Sequence, residues 1–186
     1  MAGKGTGGGG PTTRGLGAHV LIVEARYYED IADEMATGAI AVLEKHGCTY
    51  ERIAVPGALE IPQVLAAAVD AGRLGDGELY ADLDDILGEP VDPFDGAIAL
   101  GCVIRGETYH FEVVCNEANR YLMRVAISSN APVGNAILTV DTKEQAMERA
   151  KGGEAGKGGD AARACLRLIE IRRAFGAAAA DQDDDV

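Results

Sequence analysis

Apolar residues in this chain fall into short solid runs, separated by stretches where they recur every three or four positions. The first run, His19-Val-Leu-Ile-Val-Glu24, reads as a strand buried on both faces. Over 29–46, Ile31, Met35, Ile40 and Leu43 follow helical spacing, with acidic residues in the first turn and Gly47 as the stop. A strand over 50–55 and a helix from about 60 to 71 come next. Gly96-Ala-Ile-Ala-Leu-Gly101 is a third strand, again apolar throughout. A helix over about 108–128 and a strand over 135–140 follow it. Two helices, 143–150 and 160–175, close the pattern; Ala162, Cys165, Leu168, Ile169 and Ile171 recur along one side of the second.

Strands alternating with helices predict an α/β domain with a doubly wound, mainly parallel sheet. Ligands of such sheets bind beyond the carboxyl ends of the strands. The loops that follow Glu24, Val55, Gly101 and Val140 are therefore where chemistry is expected. The domain spans 18–176. Before it, 1–17 is Gly-rich and has too little apolar surface to offset its ordering entropy. Within it, 72–93 is an acidic insertion with at most a short helix around 81–87, joining a helix to a strand on the side away from the site. After it, 177–186 is a small-residue acidic tail expected to fray.

Charge and cysteine content narrow the function. A formal net charge of −13 excludes the basic face that nucleic acid or an anionic membrane requires. An anionic substrate would have to be met by a local cluster of positive groups. Cys48, Cys102, Cys115 and Cys165 show no CxxC spacing and sit in apolar surroundings, as reduced, buried small hydrophobes do. No apolar run approaches the ~20 residues that span a bilayer, and the first residues lack a signal peptide's apolar core. A cytoplasmic location is expected.

The four loops differ in how much they say. Arg26-Tyr27-Tyr28 offers rings that could stack on a planar ligand, or that simply cap the core. Pro56-Gly57-Ala58-Leu59-Glu60 is a tight turn into a helix, where Glu60 also complements the helix dipole. The third loop is the most informative. Gly106 and Thr108 stand where a helix begins, so backbone N–H groups there lack partners and suit a phosphate. His110 follows in the first turn, placed to move protons near neutral pH. In the fourth region, Arg149 could serve an anion, although arginine on a helix is more often a solvated charge. The glycine run 152–159 imitates a P-loop but has Lys151 where its first glycine belongs and Gly158 where a hydroxyl should hold magnesium.

Together these segments resemble the lumazine synthase family in order and spacing. The carriers are Ala25-Arg-Tyr-Tyr28, Val55-Pro-Gly-Ala-Leu-Glu-Ile-Pro62, Leu100-Gly-Cys-Val-Ile-Arg-Gly-Glu-Thr-Tyr-His-Phe111, Cys115-Asn-Glu117 and Gly134-Asn-Ala-Ile-Leu-Thr-Val140 with Glu144-Gln-Ala-Met-Glu-Arg-Ala150. The match runs from about Val20 to Phe175, interrupted only by the acidic segment.

The resemblance implies a flavodoxin-like three-layer α/β/α sandwich assembled into homopentamers, with sites between neighbours. Further closure into an icosahedral shell is left open. The implied reaction condenses 5-amino-6-(D-ribitylamino)uracil with 3,4-dihydroxy-2-butanone 4-phosphate in riboflavin biosynthesis, with no metal and no cofactor. By position, Tyr27 would stack on the pyrimidine. Ala58, Leu59 and Glu60 would contact the ribityl chain, and Cys102, Val103 and Ile104 the ring edge. Glu107 and Thr108 would hold the phosphate with Arg149, and His110 would transfer protons. Asn135, from the adjacent subunit, and Lys157 would line the site. Riboflavin synthase is an implied partner. Leu59 and Asn135 stand where many relatives carry aromatics. The alternatives are a non-catalytic flavin- or lumazine-binding protein and a shell-forming protein of the same fold.

Overall fold

In a computed structural model, which describes residues 15–75 and 92–183, the first apolar run becomes strand β1 (His19–Ala25). Its side chains alternate between two cores: Val20 and Ile22 enter one, Leu21 and Val23 the other. Helix α1 (Glu29–Lys45) follows, with Glu29 and Asp30 in its first turn and Lys45 in its last, both favourable to the helix dipole. Gly47 stops it in the left-handed region, at φ +65°. Then come β2 (Thr49–Val55), α2 (Ile61–Asp70), β3 (Gly96–Ile104) and α3 (His110–Ser128). The chain ends with β4 (Val133–Val140), α4 (Lys143–Ala150), a 3₁₀ turn at Gly153–Ala155 and α5 (Lys157–Asp183).

All four strands are parallel, in the order β2-β1-β3-β4. Helices α1, α4 and α5 cover one face and α2 and α3 the other, the three-layer flavodoxin-like arrangement. The chain crosses from one half of the sheet to the other between β1 and β3, which opens the crevice where such folds bind ligands. The central strands β1 and β3 hold the wholly buried Leu21, Ile22, Ile98 and Leu100. Truncating one such side chain to alanine costs about 2–5 kcal/mol. Cys48, Cys102 and Cys165 are buried as apolar packing, and all four thiols are free. No helix among the described residues is long and apolar enough to cross a membrane.

Several boundaries differ from the sequence expectation for identifiable reasons. Strand β3 continues past Gly101 because Cys102, Val103 and Ile104 pair with Leu138, Thr139 and Val140, and β4 begins two residues earlier. Glu60 precedes α2 as its N-cap residue and makes no capping bond with its side chain. In the Gly-rich arm, Leu16 is fixed: its N–H donates to the His46 carbonyl at 2.9 Å and its side chain packs on the core. The helix read to about 175 is longer: α5 runs to Asp183, as the strong helix preference of its alanines favours. The helix expected over 81–87 lies outside the described residues.

The glycine run that imitates a P-loop has a packing explanation. A Cβ on Gly158 would overlap the Met35 carbonyl, and one on Gly159 the Glu154 carbonyl. Glycine lets the start of α5 lie directly against α1, as a close backbone approach requires.

Candidate active site

The carboxyl ends of β1, β2 and β3 enclose a cavity of about 460 Å³. Its first wall is Tyr27 and Tyr28, just beyond β1, whose rings meet edge to face with centroids 4.9 Å apart. Tyr27 is 74% exposed, so its ring is free to stack on a ligand, while burial pushes the Tyr28 hydroxyl pKa above its usual value. The second wall is the turn from Pro56 to Glu60, in which the Glu60 N–H donates to the Gly57 carbonyl. Ala58 is buried there and Leu59 half-buried.

Cys102, Val103 and Ile104, the last residues of β3, form the floor. Burial pushes the Cys102 thiol up to about 11, so it presents a neutral, weakly polar surface rather than a nucleophile. Gly106, Thr108, His110, Phe111 and Val114 complete the lining.

The loop between β3 and α3 carries exposed polar groups beside the cavity. Among the described residues, the backbone N–H groups of Gly106, Glu107, Thr108 and Tyr109 have no acceptor. They stand just before the N-terminus of α3, where the helix dipole adds partial positive charge. A Cβ on Gly106 would meet nothing within 4 Å, and its φ lies outside the left-handed region. The chain itself therefore does not require glycine there, and the open space is available to an anion. His110 is the first residue of α3 and exposed to the cavity.

Of the residues singled out from sequence, Tyr27, Ala58, Leu59, Glu60, Cys102, Val103, Ile104, Thr108 and His110 share this one cavity. Glu107 flanks it, exposed between Gly106 and Thr108. The other three lie elsewhere. Arg149 lines a neighbouring cavity of about 540 Å³ with Arg105, Glu112, Asp141 and Gln145, and donates to the Gln145 carbonyl at 2.9 Å. Lys157, paired with Asp160 at 2.7 Å, lines a smaller cavity that Arg149 also borders. Asn135 is exposed on β4, where its Nδ2 donates to Asn119 Oδ1 at 2.8 Å. Phe111 is a wall common to the first two cavities, and neither it nor Val114 was singled out from the sequence, whereas Tyr28 and Pro56, read there as a possible stacking ring and a turn residue, also line the strand-end cavity. Adjacency to His110 was the available signal for Phe111.

Comparison with known proteins gives the family. The family model for 6,7-dimethyl-8-ribityllumazine synthase matches residues 17–173. The chain belongs to the lumazine synthase family. A relative of that name from Azorhizobium caulinodans is 48% identical over 170 residues, covering 91% of this chain and 94% of the relative. One from Agrobacterium fabrum is 49% identical over 158 residues, 85% of this chain and 97% of its own. The 6,7-dimethyl-8-ribityllumazine synthase 1 of Rhodopseudomonas palustris is 48% identical over 157 residues, 84% and 87% of the two chains. The lumazine synthase match thus spans all four strands and every element that contributes to the cavity.

Proposed function

We propose that this chain is an active 6,7-dimethyl-8-ribityllumazine synthase. It condenses 5-amino-6-(D-ribitylamino)uracil with 3,4-dihydroxy-2-butanone 4-phosphate, releasing phosphate and water. The observation that carries the reading is the cavity at the ends of β1, β2 and β3. It joins an exposed aromatic, an apolar floor, a row of unpartnered N–H groups and a histidine.

The pyrimidine ring lies on Tyr27, its edge against Cys102–Ile104, with the ribityl chain along Ala58–Glu60. The butanone's phosphate sits on the N–H groups of Gly106–Thr108. Its ketone is attacked by the pyrimidine's primary amine, giving an imine with loss of water. Elimination of phosphate leaves an enol, which tautomerises to a ketone. The ribityl-bearing amine closes the ring, losing a second water. Each step moves a proton, and His110 at the head of α3 is the group placed to carry it. Holding both substrates in one cavity supplies much of the acceleration, up to ~7–11 kcal/mol when alignment is good.

Arg149, Lys157 and Asn135 lie outside the cavity of their own chain. A second copy in a ring-like homo-oligomer brings them to the open side of the first copy's cavity, where Arg149 offers the phosphate a paired, charge-assisted contact. Turnover by the purified protein, followed as lumazine absorbance with both substrates and no added metal or nucleotide, tests the reading. A rate equal to the spontaneous condensation would overturn it.

A further inference from the structure

We propose that Arg105 is a positioning residue that holds the phosphate-binding loop in shape, acting through Glu112 and Asp141. This rests on the reading of Gly106–Thr108 as the phosphate site. Arg105 is the first residue after β3, and its N–H extends the strand ladder by donating to the Val140 carbonyl at 2.9 Å. Its guanidinium donates through Nη1 to Glu112 Oε1 and, at 2.8 Å, through Nε to Asp141 Oδ1. The same group lies over the Phe111 ring, 4.2 Å from its centroid.

These contacts bracket the loop. Arg105 precedes Gly106, and Glu112 lies in the first turn of α3, two residues after His110. The ion pair between them ties the two ends of the segment that carries the unpartnered N–H groups and the histidine. Binding a phosphate on these N–H groups requires a defined loop shape, and within the segment only the Phe111 N–H, 3.5 Å from the Thr108 carbonyl, bonds back to the loop among the described residues. The contact to Asp141 fixes the bracket to the end of β4. Asp141 in turn donates its N–H to Gln145 Oε1 at 2.9 Å, on the helix that carries Arg149.

Arg105 is poorly suited to be a phosphate ligand itself. Its Nε and Nη1 already donate to two carboxylates, which neutralise its charge locally and raise its affinity for its proton. A guanidinium can bridge two carboxylates and stack on a ring at once, which an ammonium cannot.

Kinetics on Glu112→Gln, Arg105→Met, Arg105→Lys and the Glu112→Gln/Arg105→Met double variant test the proposal, with wild-type turnover established first. Wild-type inactivity would refute the catalytic reading instead, and the variants' phosphate affinity would then be read by calorimetry with inorganic phosphate. Glu112→Gln should raise the KM for the butanone phosphate, and the inhibition constant of inorganic phosphate, by about twofold to fivefold, the size of a half-exposed ion pair. Arg105→Met, which also loses Asp141 and the ring, should raise both by about fivefold to twentyfold. The pyrimidine KM should stay unchanged, Arg105→Lys should rescue only in part, and the double variant should match Arg105→Met alone. Full rescue by lysine, additive effects in the double variant, or equal weakening of both substrates would overturn it. So would a lowered melting temperature with all kinetic constants unchanged.

Discussion

Replacing Gly106 by alanine separates what the loop does for the fold from what it does for the ligand. At most positions glycine is retained because a Cβ would collide or because φ is positive. Here neither holds: the added methyl meets nothing within 4 Å and the backbone is in the ordinary region. Stability should therefore be unchanged or rise by about 0.4–1 kcal/mol, because alanine restricts the unfolded chain more than glycine does. The ligand should respond in the opposite sense. Gly106 lines the cavity and its N–H is one of four unpartnered donors. A methyl that costs one charge-assisted hydrogen bond costs roughly 1.5–3 kcal/mol of binding, or about ten- to a hundredfold in affinity. Thermal unfolding and steady-state kinetics with each substrate varied in turn read the two effects separately. The butanone phosphate KM should rise while that of the pyrimidine moves little. An unchanged phosphate KM would remove the loop as the phosphate site. A clear loss of stability would mean the space beside Gly106 is needed by the protein itself.

Further expectations follow from other residues. His110→Ala should lower kcat by ~10²-fold, typical of losing a general acid–base, while leaving the spontaneous background; an unaltered kcat would make His110 structural. Arg149→Ala should raise the butanone phosphate KM by ~10–100-fold with the pyrimidine KM nearly constant, and lysine there should restore part of the loss. Burial that pushes Cys102 to about 11 keeps it a thiol at pH 8, so an alkylating reagent should modify it far more slowly in the folded than in the unfolded chain. Because the unfolded thiol ionises first, stability should be intact below pH 9 and decline as pH rises toward 11. A melting temperature that Cys102→Ser leaves with the same alkaline slope would contradict that assignment.

Local patterning carried much of the fold into the sequence. The solid run at Val20–Val23 and the spacing of Ile31, Met35 and Leu43 mark β1 and α1 because each side chain is wholly buried. The helix read over 143–150 is α4, which Thr142 caps by accepting from the Gln145 N–H. The end of β3 was not, because Cys102–Ile104 are both strand residues and cavity floor, and only their pairing with β4 reveals the first role. Glycines 158 and 159 read in the sequence only as an imitation of a P-loop; what requires them, the carbonyls of Met35 and Glu154, is tertiary. The site divided in the same way. Segments directly after β1, β2 and β3 converge by topology alone, so Tyr27, Glu60 and His110 could be grouped from order and spacing. Arg149, Lys157 and Asn135 follow the same family spacing but face other surfaces, which no reading of one chain's pattern distinguishes. Arg105 passed as part of a motif because Asp141, one of its two partners, is 36 residues away.

Mixing two impaired variants, assayed with the butanone phosphate well below its KM so that each alone turns over slowly, tests most directly whether a site is completed by a second copy. His110→Ala subunits keep Arg149, and Arg149→Ala subunits keep His110. Co-assembled in equal amounts, they should recover about a quarter of wild-type activity, the share of head-to-tail junctions that pair an intact loop with an intact arginine. Activity that stays at the sum of the two separate variants, in particles shown to contain both, would contradict the shared site.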